Sequence, residues 1–326
     1  MKQRIVHYDV LAGIMLLFMM HHHTCGMCGI MEDPIHLIPY KILYFYIAYF
    51  FFKAGCFYNP EQSLKQVLIN SSKRLLVPFV VFTIIGYVLL GATESVNTWH
   101  YWWYPIRQVF AIGRVDGNGP LWFLLSLFLV RIIFQTSGNT LWRQICWIII
   151  GACIGIVGNY YGVRPRTISN VGMGIFFYGV GYMLREVQYN KWVGSISSIL
   201  FVVVYVIMAI FGWHLIDFSF NRTEFGIHPI WLFNCVIACL ALDFLMRNYN
   251  WKFSPLAWVG RNSMVFLCTH ALVYEFLHQY VYIHFPISSY GMLCCDWMSI
   301  LLVCSTMVIV FKNEYLSWMI GERQLC

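Results

Sequence analysis

Apolar runs of about 17 to 25 residues, the length that crosses a hydrocarbon core of about 30 Å as a helix, recur along the whole chain. They fall near residues 9–30, 38–57, 75–91, 120–136, 142–160, 168–184, 193–213, 228–246, 259–284 and 291–311. Polar residues interrupt the first, second and ninth, and the ninth is long enough to tilt or bend. The first run follows Asp9 and continues into the body of the chain, so it reads as a retained span, not a cleaved signal. No internal repeat and no Pro- or Ser-rich linker divides the sequence. The pattern predicts an all-α, polytopic transmembrane helical bundle of about ten helices, with residues 1–326 forming a single integral-membrane domain.

Composition agrees with this pattern and excludes other classes. Hydrophobic residues make up 60% of the chain and charged residues 11%, where a soluble protein carries about 25% charged. Aromatics reach 18%, with 13 Trp and 21 Tyr, which suits extensive bilayer interfaces. The net charge of +7 is scattered without a basic block, so no nucleic-acid partner is expected; the lipid bilayer is. Placing the N-terminus in the cytoplasm puts fourteen Lys and Arg on that side of the ten spans and six on the other. By the positive-inside rule both termini are then cytoplasmic. Two long outer loops result, 92–119 with Trp99, His100, Trp102, Trp103 and Asp116, and 214–227 with Asp217 and Glu224. The twelve cysteines form no paired framework. Several, such as Cys235, Cys239 and Cys268, lie in apolar runs, where Cys acts as a small hydrophobe.

Ionisable groups inside spans are costly and mark functional candidates. Asp9 and His23 on the first span are fourteen positions apart, so they share a helix stripe to within about 40° and lie about 21 Å apart along the axis. His21 and His22 must point to other faces. The triplet can equally mark where the helix reaches the outer interface. With Cys25 and Cys28 nearby a metal site is a further reading, but three adjacent histidines on a helix cannot all aim at one ion, and no metal is expected. Cys25 and Cys28 could instead pair as a disulfide in an oxidising compartment. Lys53 lies at the end of a Phe-rich second span, where it needs a partner, a cavity or room to snorkel. Lys73 and Arg74 precede Leu75-Leu76-Val77-Pro78 at a cytoplasmic mouth. They serve as anchors there, or as a phosphate clamp in which Arg forks onto oxygens and Lys adds a point charge. Asn118 and Trp122 open the fourth span within Gly117-Asn118-Gly119-Pro120-Leu121-Trp122, and the ninth carries Gly260, Ser263 and, in its middle, His270.

Taken in this order, these segments resemble acyltransferase family 3, the integral-membrane acyltransferases of cell-envelope glycans. The resemblance rests on Asp9, Leu11, Gly13, Ile14 and His23, then Phe50 to Gly55. It continues with Lys73, Arg74 and Pro78, with Leu121 to Leu124, and with Gly260, Ser263 and His270. Ala12 and Ser71 stand where many members carry a basic residue. The resemblance implies about ten helices and transfer of an acyl group, commonly acetyl, to a hydroxyl of an envelope sugar or lipid-linked glycan. The donor implied is an acyl-CoA, commonly acetyl-CoA, presented from the cytoplasm as a substrate, with no permanently bound cofactor. The location implied is the cell (inner) membrane. Carried over, His23 is the catalytic histidine with Asp9 on its stripe, and Lys73 and Arg74, with Lys53 as a supplementary charge, bind the donor. Acyl transfer to a hydroxyl needs a base and an oxyanion stabiliser. His23 serves as the base or as a covalent acyl carrier, while Asn118, Trp122, Ser263 and His270 are candidates for acceptor, oxyanion or structural roles. A small-solute transporter is the alternative, because intramembrane His, Lys and Arg also line permeation paths; a haem- or metal-binding membrane protein ranks third.

Overall fold

Long apolar stretches with few helix breakers form helices, and the computed structural model describes residues 6–91, 98–163, 165–186, 190–211, 229–247 and 255–321. Helix makes up 83% of the structure and no strand occurs among the described residues. The outer loop 214–227 with Asp217 and Glu224, residues 92–97 of the other loop, and the charges Lys2, Arg4, Arg164, Arg222, Lys252 and Arg323 lie outside the described residues. The helices are α1 (Val6–Met27), α2 (Pro34–Leu43), α3 (Tyr46–Cys56), α4 (Leu64–Ser71), α5 (Val77–Gly86), α6 (Trp99–Ile112) and α7 (Trp122–Gln135). After them come α8 (Leu141–Tyr160), α9 (Arg166–Leu184), α10 (Lys191–Phe211), α11 (Pro229–Arg247), α12 (Pro255–Arg261), α13 (Ser263–Phe276) and α14 (Ser289–Phe311). Five helical stretches are long and apolar enough to cross a membrane: Val6–Met27, Pro34–Cys56, Leu64–Leu90, Leu141–Gly158 and Ser289–Phe311. Two shorter apolar helices, Gly119–Gln135 and Lys191–Ile207, match the fourth and seventh runs of the sequence.

Three runs depart from their expected form, each for a local reason. The third does not begin at residue 75. It is continuous from Leu64, with π turns at Ser72–Leu76 and Tyr87–Gly91. Pro78 has no N–H to bond the carbonyl of Arg74, and its ring crowds that carbonyl. The turn before it widens, so that Val77 N–H bonds Ser72 O instead. The second run breaks at Tyr44–Phe45, between α2 and α3. The ninth breaks at Asn262, between α12 and α13, and ends in a π turn at Leu277–Val281.

The helices assort into two compact units interleaved in sequence. The first comprises Met1–Phe18, Pro39–Ser63 and Val130–Arg261; the second comprises Met19–Ile38, Leu64–Leu129 and Asn262–Cys326. In the first unit α9 packs against α8 and α3. A Cβ at Gly172 would come within 2.8 Å of Gly155 N and 2.9 Å of Gly151 O. The Gly151-x-x-x-Gly155 stretch of α8 therefore lets the backbones touch, as small residues do where lipid supplies no hydrophobic drive between helices. On α10, Ile196, Ile199, Val202 and Val206 remain exposed, the surface expected of a helix facing acyl chains. In the second unit α13 packs against α14 and against the turn Gly119–Leu121 that precedes α7.

Candidate active site

Successive helical residues are rotated by about 100°, so the three histidines ending α1 reach three different partners within the second unit. His21 Nε2 lies 2.9 Å from Ile35 O. A carbonyl only accepts, so Nε2 carries the proton and Nδ1 is left to accept from Trp297 Nε1 at 3.3 Å. His36 Nδ1 donates to Met31 O at 2.8 Å, which leaves its Nε2 to accept from His22 Nδ1 at 2.9 Å. His21 and His22 are thus tied to the segment around α2 and to α14. His23 makes no hydrogen bond among the described residues, and its ring faces His270 with centroids 5.9 Å apart and planes at 34°.

His270 lies fully buried in the middle of α13. Its Nδ1 donates to Phe266 O, one turn back, at 2.8 Å. That bond fixes the tautomer, so Nε2 presents a lone pair. Nε2 is buried and has no hydrogen-bond partner among the described residues. Beyond it stands Tyr274, its ring centroid 5.9 Å away. Asn118 does not cap the turn before α7 with its side chain. Its Nδ2 donates instead to Cys268 O at 2.9 Å, and its buried Oδ1 has no partner among the described residues. Nearby lies Arg114: a Cβ at Gly119 would come within 3.2 Å of its guanidinium. Arg114 lies within electrostatic range of His23, Tyr274 and Glu275. Trp122 is buried at the start of α7, and Ser263 opens α13 two turns before His270, on the same face. The second unit therefore gathers His23, His270 and Arg114, with Asn118 bracing α13 two residues from His270. Sequence reasoning missed Arg114, and its position three residues before Gly117-Asn118-Gly119 was the available signal.

Asp9 and Lys53 belong to the first unit. Asp9 is buried and accepts from Arg261 Nε at 3.3 Å. The contact is possible because α1 and α12 touch through glycines. A Cβ at Gly260 would lie 1.8 Å from Asp9 O, and one at Gly13 would lie 2.0 Å from Leu256 O. Gly13 and Gly260, both part of the sequence motifs, thus serve a helix crossing. Lys53 Nζ donates to Tyr8 O at 2.8 Å and lies 5.9 Å from the Tyr8 ring centroid. Close by in the same unit, the buried Asp243 contacts the Arg247 guanidinium and stands 3.4 Å from His7 Nε2.

Lys73 and Arg74 lie on the π turn of the second unit with both side chains exposed, and neither forms an ion pair among the described residues. The turn is backed by Gly321, whose φ is +71° and where a Cβ would meet Arg74 Cα at 2.6 Å. A phosphate group can reach such a pair from solvent. Cys25 and Cys28 are free thiols. Cys28 meets two residues that the sequence did not single out, His278 and Asp296, and the ligand atoms of the three lie within 4.8 Å of one another.

A family model described as an acyltransferase domain matches residues 5–311, nearly the whole chain. Comparison with curated proteins and with solved structures gives no match.

Proposed function

Because the chain belongs to acyltransferase family 3, we propose that it moves an acyl group, commonly acetyl, from a cytoplasmic acyl-CoA to a hydroxyl of a cell-envelope sugar or lipid-linked glycan. The observation that carries the site assignment is the pairing of His23 with His270, because His23 alone of the triplet has no hydrogen bond among the described residues. In this reading His23 removes the proton of the acceptor hydroxyl as the oxygen attacks the thioester carbonyl. His270, held by Phe266 O with its Nε2 lone pair open, accepts from the imidazolium so formed and stabilises it. Arg114 supplies positive charge to the tetrahedral oxyanion. Collapse of that intermediate breaks the carbon–sulfur bond, and the leaving thiolate takes the proton back from His23.

Donor binding is assigned to Lys73 and Arg74, whose exposure and lack of ion pairs among the described residues suit the phosphates of CoA. Lys53 is engaged with Tyr8 O and is left out of that assignment. Ten spans, cytoplasmic termini and residence in the inner membrane complete the proposal, since the donor must then meet Lys73 and Arg74 from inside. Mass spectrometry of envelope glycans tests it. Cells lacking the gene, or carrying only His23→Ala, should lose one acyl mass from a defined glycan that the wild-type gene restores. Identical glycan masses with and without the gene would overturn the acceptor assignment.

A further inference from the structure

Outside the histidine pair, one group of side chains among the described residues of the second unit converges on a point. Cys28 Sγ lies 3.6 Å from Asp296 Oδ2 and 4.0 Å from His278 Nε2, and His278 Nε2 lies 3.0 Å from the same Oδ2. Cys28 follows α1, His278 sits on the π turn after α13, and Asp296 is a fully buried residue of α14.

The geometry decides between two kinds of site. A nucleophilic Cys–His–Asp triad places the thiol on one imidazole nitrogen and the carboxylate on the other. Here both approach Nε2, so the imidazole cannot relay a proton between them. Convergence of all three on one another is instead the arrangement of metal ligands. A zinc ion with bonds of about 2.3 Å to sulfur and about 2.0–2.1 Å to nitrogen and oxygen has tetrahedral edges near ~3.6 Å for S···N and S···O and ~3.3 Å for N···O. The observed edges of 4.0, 3.6 and 3.0 Å lie within about 0.5 Å of these, a difference that small side-chain shifts absorb.

Charge and surroundings point the same way. A thiolate and a carboxylate carry two negative charges, which a dication neutralises, and the neutral imidazole adds none. The group sits against an apolar sheath formed by Cys25, Ile30, Met31, Met292, Leu293 and Trp297, where an uncompensated charge would be costly. Tyr282 Oη donates to Asp296 Oδ1 at 2.7 Å, which turns Oδ2 toward the other two ligands, as outer partners of metal-bound carboxylates do.

We propose that Cys28, His278 and Asp296 form a zinc site with a fourth position open to water, which clamps the end of α1 to α13 and α14. On binding, the Cys28 thiol releases its proton to solvent, Sγ and Asp296 Oδ2 bond the ion, and His278 binds through Nε2 with its remaining proton on Nδ1. Cys28 is five residues beyond His23 and His278 eight beyond His270, so the clamp ties the ends of the helices that present the histidine pair. The site stands independently of the acyl-transfer reading.

Cobalt substitution tests it. Full-length protein purified in detergent without chelators and loaded with Co²⁺ under anaerobic conditions should bind about one ion per chain, with a thiolate-to-cobalt charge-transfer band that Zn²⁺ abolishes. Cys28→Ser should lose the band, and Asp296→Asn should weaken binding by at least about tenfold. Cys25→Ser should keep it, since Cys25 contacts His21 instead. Zinc should also raise the thermal midpoint of the wild-type protein, because it binds the folded state. Wild-type protein with no thiolate band and no zinc-dependent shift overturns the proposal, whatever the variants do. So does a band that survives in a folded Cys28→Ser protein.

Discussion

Buried ionisable groups of the first unit meet charged or carbonyl partners, whereas the histidine pair of the second unit leaves bonding capacity open. In the first, Asp243 meets Arg247 and His7, Asp9 meets Arg261, and Lys53 meets the carbonyl of Tyr8. In the second, His23 faces His270 without a hydrogen bond, and both His270 Nε2 and Asn118 Oδ1 lie buried without partners among the described residues. A buried charge that is paired holds structure, and removing one partner strands the other. A buried lone pair left open costs stability, and a catalytic role is one reason for it to persist. In the proposed reading, charge alone therefore does not locate the chemistry. Asp9 and His23 lie on one helix, and what separates them is whether their bonding capacity is already spent.

Variants that exchange the two behaviours would break the comparison. His23→Ala carries the largest expected effect. Turnover, read as CoA release in proteoliposomes, should fall by about 10²–10⁴-fold, with the protein still folded. His21→Ala and His22→Ala should keep most turnover and lose only the stability of their hydrogen bonds, about 0.5–1.5 kcal/mol each. Activity lost in His22→Ala and kept in His23→Ala would move the site to the wrong face of α1. Asp243→Ala should do the reverse of His23→Ala. Breaking the buried Asp243–Arg247 pair should cost about 3–5 kcal/mol of stability, read by thermal unfolding, while turnover per folded molecule stays at the wild-type level.

Smaller effects sharpen the picture at the surface. Arg74→Ala should raise the KM for acyl-CoA by roughly ten- to hundredfold, the value of one charge-assisted contact of about 1.5–3 kcal/mol, and leave acceptor KM alone. Arg74→Lys should recover part of it, keeping the charge without the fork. Unchanged donor kinetics in Arg74→Ala would reduce the pair to membrane anchors. The smallest effect concerns Asp33, outside the spans, whose carboxyl is held below the usual carboxylate range first by the Tyr290 hydroxyl and then by Ile35 N–H. A depressed carboxyl contributes stability above its unfolded value of about 3.9 and loses it as pH falls through the folded value. Tyr290→Phe should therefore lower the thermal midpoint slightly at neutral pH, and the difference should vanish in acid. A difference that grows on acidification would contradict the assignment.

What the sequence made legible was local. The spacing from Asp9 to His23, the apolar runs and the basic pair before Pro78 each lie within a few helical turns, where period and length are informative. Even there Pro78 changed the outcome, since its missing N–H turns an expected helix start into a π turn inside a longer rod. What was hidden depends on packing across the chain. Cys28 and Asp296 are 268 positions apart, and nothing in the spacing of one predicts the other. Arg261 reaches Asp9 because glycines on two helices allow their backbones to touch. His270 was visible as a mid-span histidine, but its open nitrogen is known only once Phe266 O takes the other.

The central claim is that His23 and His270 act as one unit, and a double-mutant cycle on turnover tests it most directly. His23→Ala, His270→Gln and the double variant are compared with wild type at equal amounts of folded protein. Residues that work through a shared proton lose their effects together. The account predicts that the double variant is within about threefold of His23→Ala alone. Losses that multiply, with His270→Gln costing as much without His23 as with it, would contradict it.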